Sequence, residues 1–277
     1  GVSAVSRHPL ARLRALARRE ATTVLTTRAF GLFVGSLAAL LAGLVWVSGA
    51  AASGYLPTAV DLLPALELLV PLLAFTVGYR ALLDDRLSGE LAVLSTFPVS
   101  RATVVASVLV GRGVALAVGI AAALLPTMAL VWALGGPATR LVATHSGTDS
   151  TILFVRLLSA TTLFGLAALS VAVAVSAVAS GTRNAAATLV GLWLALTAAV
   201  DLGLVEALGA GFVGSDGVLA LLAASPSGAY RGLVLQTVVD VATAGSLQAA
   251  APLPSVAGLL AWLVGGFAVA TRSIWRE

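Results

Sequence analysis

Long apolar runs set apart by short polar connections recur along the whole chain, and their lengths predict membrane-crossing helices. Crossing a bilayer takes about 20 apolar helical residues. Between Ala29 and Asp61 no charged residue interrupts the chain, and residues 30–48 make a natural first span. Further spans are expected at about 61–83, 102–134, 152–180, 185–206 and 253–271. The pattern predicts an all-α, polytopic membrane protein with six transmembrane helices in a single domain over residues 1–277. A seventh apolar run, Val218 to Ala224, is too short to cross. It reads as a re-entrant or interfacial piece of an outer region at 207–252.

Ahead of the first span, Leu10, Leu13, Ala17, Ala21 and Val24 share one helical face, with Arg12 and Arg19 opposite. A basic amphipathic helix of this kind lies in the headgroup layer. Residues 10–28 are therefore read as an interfacial elbow helix, whether a simple anchor or a functional element.

Composition narrows the chemistry. Of 277 residues, 59% are hydrophobic and only 10% charged, against about 25% charged in ordinary soluble domains. Mean hydropathy is +1.04. There is no Cys, hence no disulfide framework, zinc ribbon or thiol nucleophile. All 16 positive charges are Arg. Without Lys the chain has neither a G-x-x-x-x-G-K-[ST] phosphate loop nor a Schiff base, so it is not expected to hydrolyse ATP by itself. H-E-x-x-H and G-x-S-x-G are also missing, and no catalytic or cofactor-binding residue is assigned. Two His (His8, His145) and one Met (Met128) offer too few soft ligands for a metal path.

The net charge of +4 comes from arginines placed beside the spans. With the N-terminus inside, 13 of them flank inner ends, and only Arg140, Arg156 and Arg231 lie outside. That asymmetry predicts both termini on the cytoplasmic side of the plasma membrane. It is the pattern of a cytoplasmic flank rather than a groove-reading surface, so nucleic acid is not an expected partner. The basic region of the first 28 residues is too long for a cleavable signal peptide.

One connection carries more information than the others. Between the second and third spans, Leu83, Leu87, Leu91 and Leu94 recur at helical spacing, with Asp84, Asp85, Arg86 and Glu90 supplying charge. Ser88 is placed to cap a short helix, Gly89 to bend the chain before it and Pro98 to end it, while Ser100 is placed to cap the third span before Arg101. The segment 84–98 reads either as an amphipathic coupling element against the inner face or as a connecting turn.

Two charges fall inside spans, where each costs roughly 2.5–3.5 kcal/mol. Counted from Asp61, Glu67 lies about 9 Å below the outer surface; counted from Arg101, Arg112 lies about 15 Å from the inner one. Their depths then differ by only about 6 Å across a 30 Å core. Either they pair between helices, or Arg112 snorkels inward while Glu67 is protonated or faces a partner subunit. Asp201 and Glu206 near the outer end of the fifth span read as interfacially solvated. Gly31-x-x-x-Gly35 fits close helix approach but is also a common chance spacing in so Ala- and Gly-rich a chain.

The run from Glu90 through Phe97-Pro98-Val99-Ser100-Arg101 to Gly111-Arg112 resembles the type-2 ABC transporter permeases. The elbow helix, the six spans and the long outer region between the last two extend the resemblance over most of the chain. Pro226-Ser227-Gly228-Ala229-Tyr230-Arg231 is similar to a stretch in the branch serving nitrous oxide reductase maturation, although Ser107-Val108 stands where relatives often carry Gly-Lys. The resemblance implies a non-catalytic permease subunit, probed at Asp84, Asp85, Arg86, Gly89, Glu90, Leu94, Pro98 and Arg101 by a separate cytoplasmic ABC ATPase that binds the ATP. It also implies a second permease copy or paralogue. A secondary transporter and a force-transmitting membrane protein are the alternatives. The Ala-, Leu- and Val-rich wall suits an apolar cargo and ordinary helix packing alike.

Overall fold

The computed structural model describes residues 9–89, 99–135, 149–209, 224–240 and 252–274. These residues are helical apart from turns and short connections, with no strand among them. The helices are α1 (Pro9–Leu25), α2 (Arg28–Ser48), α3 (Ala50–Ser53), α4 (Tyr55–Gly78), α5 (Leu83–Leu87), α6 (Arg101–Leu134), α7 (Thr151–Val178), α8 (Thr182–Gly209), α9 (Pro226–Val234) and α10 (Pro252–Ser273). A π-helical turn, Leu235–Asp240, continues α9.

Five stretches among the described residues are long and apolar enough to cross a membrane: Arg28–Ser48, Tyr55–Leu87, Arg101–Leu134, Thr151–Val178 and Leu253–Ser273. The remaining expected span, 185–206, falls within the 28-residue helix α8. The short apolar run Val218 to Ala224 lies outside the described residues except at its last position.

Helix α7 is the axis of the bundle. It packs against α4, α6, α9 and α10, and Leu157, Phe164, Leu169, Ala172 and Val173 are wholly buried on it. Small residues let neighbours come close. A Cβ on Gly266 of α10 would stand 2.6 Å from the Ser170 carbonyl oxygen, and Ser170 in turn donates to the Trp262 carbonyl at 3.0 Å. In contrast, a Cβ on Gly31 or Gly35 would meet nothing within 4 Å, so that spacing makes no close contact within the described chain.

Several ends follow local rules. Gly49, at φ 77°, stops α2 where the first span was expected to end. Ser100 Oγ accepts from Thr103 N at 3.1 Å and caps α6 as anticipated. The start of α4 differs: the helix begins at Tyr55, six residues before Asp61. Its cap comes from far along the chain. Asp149 accepts from Tyr55 N at 2.7 Å and Leu56 N at 2.8 Å, satisfying two of the four orphan donors at a helix N-terminus and complementing its dipole. Asp149→Ala is expected to cost about 1–2 kcal/mol in thermal unfolding of the detergent-solubilised protein, with Asp149→Asn in between. Unchanged melting in the alanine variant would remove this cap from the account.

Candidate functional site

Polar side chains in an apolar bundle must find partners or be costly. Among the described residues they gather into three joints, each involving α4 or its continuation into α5.

The first joint involves α5. A short helix, α5, ends at Ser88, and Gly89, at φ 77°, comes directly after; the helix expected between Ser88 and Pro98 falls outside the described residues. Glu90, Leu94 and Pro98 lie outside the described residues. Arg80 Nε and Asp84 form an i,i+4 pair at 2.9 Å, both about half exposed. Asp85 is partly exposed, and Gly89 and Arg101 are exposed. Arg86 points elsewhere: its Nη2 donates to the carbonyls of Ser176 at 3.0 Å and Ala177 at 2.7 Å, in the last turn of α7. Ser176 Oγ accepts from Leu82 N at 2.8 Å and Leu83 N at 3.0 Å.

The second joint corrects the expected pairing of Arg112 with Glu67. Arg112 Nε donates to Glu20 of α1 at 2.9 Å, and its Nη1 to the Val77 carbonyl of α4 at 2.6 Å. Both charged side chains are largely buried. The reason is helix length. With 34 residues, α6 is about 51 Å long, well beyond a 30 Å core. Counting depth from Arg101 therefore placed Arg112 too deep. It sits level with the last turn of α4, ten residues or about 15 Å along the axis from Glu67. Next to it, Gly111 receives the backbone of α1: a Cβ there would collide with the Ala17 carbonyl oxygen and stand 2.6 Å from Glu20 Cβ.

Glu67 belongs to the third joint. It is half-way along α4, twelve residues after Tyr55, and accepts two bonds from Arg231 of α9, Nε to Oε1 and Nη2 to Oε2, each 2.7 Å. Pro71 lies four residues on, so the Glu67 carbonyl lacks its usual helical donor. Ser225 Oγ caps α9 by accepting from Gly228 N at 2.9 Å, and Pro226 occupies the first turn. Tyr230 is fully buried, shares a hydroxyl hydrogen bond with Thr161 at 2.9 Å and stacks on Phe164 with centroids 4.5 Å apart. Arg156 donates to the Thr237 carbonyl at 2.9 Å, tying the π-helical turn to α7. So α9 is inserted into the bundle rather than laid over it.

Glu20, Asp149, Ser176 and Arg231 were not singled out as partners from sequence. Glu20 had one signal, as the lone acid among the N-terminal arginines. The others had none that local pattern exposes. Between α7, α8 and α10 lies a groove of about 740 Å³ lined by Val171, Val175, Leu192, Trp262 and Val269 among others. Among the described residues no group of three His, Cys, Asp or Glu is placed to hold a metal ion.

Residues 17–276 match the family model described as ABC-2 family transporter protein. The chain is 31% identical over 264 residues to a probable ABC transporter permease protein NosY of Pseudomonas aeruginosa, covering 90% of each chain. It is 30% identical over 261 residues to a protein of the same description from Stutzerimonas stutzeri, again covering 90% of each.

Proposed function

Because the chain belongs to the ABC-2 family of transporter proteins, we propose that it is the permease subunit of an ATP-driven exporter in the plasma membrane. In this reading it crosses the bilayer six times, α8 supplying the sixth passage, with α1 as an interfacial elbow and both termini cytoplasmic. The chain performs no chemistry. A separate cytoplasmic ABC ATPase binds and hydrolyses ATP, docks on the segment 84–98 and drives helix movement, and a second permease copy or paralogue completes the channel.

The observation that carries the reading is the short charged helix α5 between two long apolar helices, held to the bundle by hydrogen bonds and followed by the exposed Gly89. Supporting it, the complete lack of Lys leaves no phosphate loop on this chain, so ATP hydrolysis by that mechanism falls to another protein. A secondary carrier would need no such platform.

Co-expression with an ATP-binding cassette protein tests the proposal. The ATPase is expected to co-purify in detergent and to lose at least ten-fold in retention when Glu90 and Pro98 are both changed to Ala. An intact complex after those changes removes the segment as the docking point, and no complex at all with the unaltered chain removes the permease reading.

A further inference from the structure

The last carbonyls of a helix have no intrahelical donors, and the first N–H groups have no intrahelical acceptors. Where α5 meets α7, the two deficits cancel. Ser176, fully buried in the last turn of α7, lends its hydroxyl oxygen to Leu82 N and Leu83 N at the start of α5, the position a capping side chain normally fills. No side chain of α5's own N-terminus does so. Arg86, in the same short helix, returns the service by donating to Ser176 O and Ala177 O. A cation at a helix C-terminus is also favoured by the helix dipole, and a planar guanidinium can serve two carbonyls at once. Among the described residues Arg86 Nε has no hydrogen-bond partner, so the bonds Arg86 makes there go to α7. Leu82 and Leu83 are buried beside the joint.

We infer that Arg86 and Ser176 form a reciprocal clasp that makes α5 and α7 one rigid lever, with Arg86 a positioning residue rather than a docking contact. A push on the charged surface around Asp84 then moves α7 as a unit instead of flexing the turn at residues 79–82. Through Thr161 and Arg156, α7 passes the movement to Tyr230 and the Thr237 turn. The functional part of this inference rests on the permease reading; the clasp itself does not.

The absence of Cys makes the test direct. Leu87→Cys and Val178→Cys, both exposed positions, carry spin labels on the full chain in lipid nanodiscs, alone and with its ATPase, with and without ATP. The expected result is one narrow α5–α7 distance that nucleotide does not change. Arg86→Gln and Ser176→Ala are expected at least to double its width and to make it nucleotide-dependent, while the ATPase still co-purifies; Arg86→Lys restores most of the wild-type width. A merely stabilising role would lower yield without that nucleotide dependence. Ser176→Ala, which removes one hydroxyl, serves where Arg86→Gln fails to fold. A wild-type distance that shifts with nucleotide, or an equally narrow one in both variants, overturns the clasp. Failure of the ATPase to bind the unaltered chain overturns the permease reading instead, and the nucleotide-free widths still decide the clasp.

Discussion

Glu67→Leu and Arg231→Leu are each expected to remove most of the folded protein recovered from membranes, whereas Glu67→Arg combined with Arg231→Glu returns a substantial part of it. The two side chains meet through two 2.7 Å bonds, the bidentate geometry that makes Arg–carboxylate pairs strong. Glu67 is 15% exposed and Arg231 39%. Deleting one partner of a buried pair leaves the other charge uncompensated, at about 3–5 kcal/mol; the partial exposure of Arg231 puts Arg231→Leu at the upper end, because it strands the more buried Glu67. Deleting both with Glu67→Leu and Arg231→Leu is expected to cost less than Arg231→Leu alone, since neither charge is then stranded. The control is the swap that a pairing of Glu67 with Arg112 would favour. Glu67→Arg with Arg112→Glu sets Arg against Arg231 and Glu against Glu20, two like-charge contacts, and is expected to be worse than either single change. Thermal unfolding of the solubilised variants checks the order. If the Arg112 swap rescues and the Arg231 swap does not, the third joint is wrong.

What could be read from the chain and what could not divides along the range of the interaction. Spans and ends are local. The apolar run to Ser48 stops at Gly49, and Ser100 caps α6 with a residue three positions away. Charge partners are not local. Arg231 and Glu67 are 164 residues apart and Arg112 and Glu20 are 92 apart, so no helical period brings them together. The error over Arg112 came from equating the first apolar residue of a run with the membrane boundary, which fails once a helix outgrows the bilayer as α6 does. Arg86 shows a subtler limit. Flanked by Asp85 and Leu87, it reads as part of a charged docking face, and only the arrival of the α7 terminus at Leu82 and Leu83 turns it inward. Helix α9 follows the same division: Ser225 and Pro226 start it locally, but its insertion depends on Thr161, Phe164 and Glu67 from other helices.

Gly111→Leu is expected to free α1 from α6 while leaving the rest of the bundle folded. The contact has no room: even a Cβ at this position collides with the Ala17 carbonyl oxygen, which is backbone and cannot rotate away, and crowds Glu20 Cβ. Overpacking a tight contact typically costs 1–3 kcal/mol, and lifting α1 also breaks the Glu20 bond to Arg112. That second loss leaves Arg112, among the described residues, with the Val77 carbonyl of α4 alone, so the cost falls at the joint of three helices. Arg14 and Arg18 are exposed on α1 but are protected from trypsin while the helix is ordered, because cleavage requires local unfolding. Since 1.4 kcal/mol corresponds to a factor of ten, cleavage at these two sites in membranes is expected to accelerate at least about ten-fold in Gly111→Leu, and by less in Gly111→Ala. Glu20→Gln, which keeps a hydrogen-bond acceptor but drops the charge, is expected to fall between Gly111→Ala and wild type. Gly35→Leu supplies the control, because a Cβ there would meet no other helix within 4 Å among the described residues; it is expected to leave tryptic cleavage at the wild-type rate. Equal rates for Gly111→Leu and Gly35→Leu would mean that α1 is held by the bilayer alone and that its seat on α6 contributes nothing.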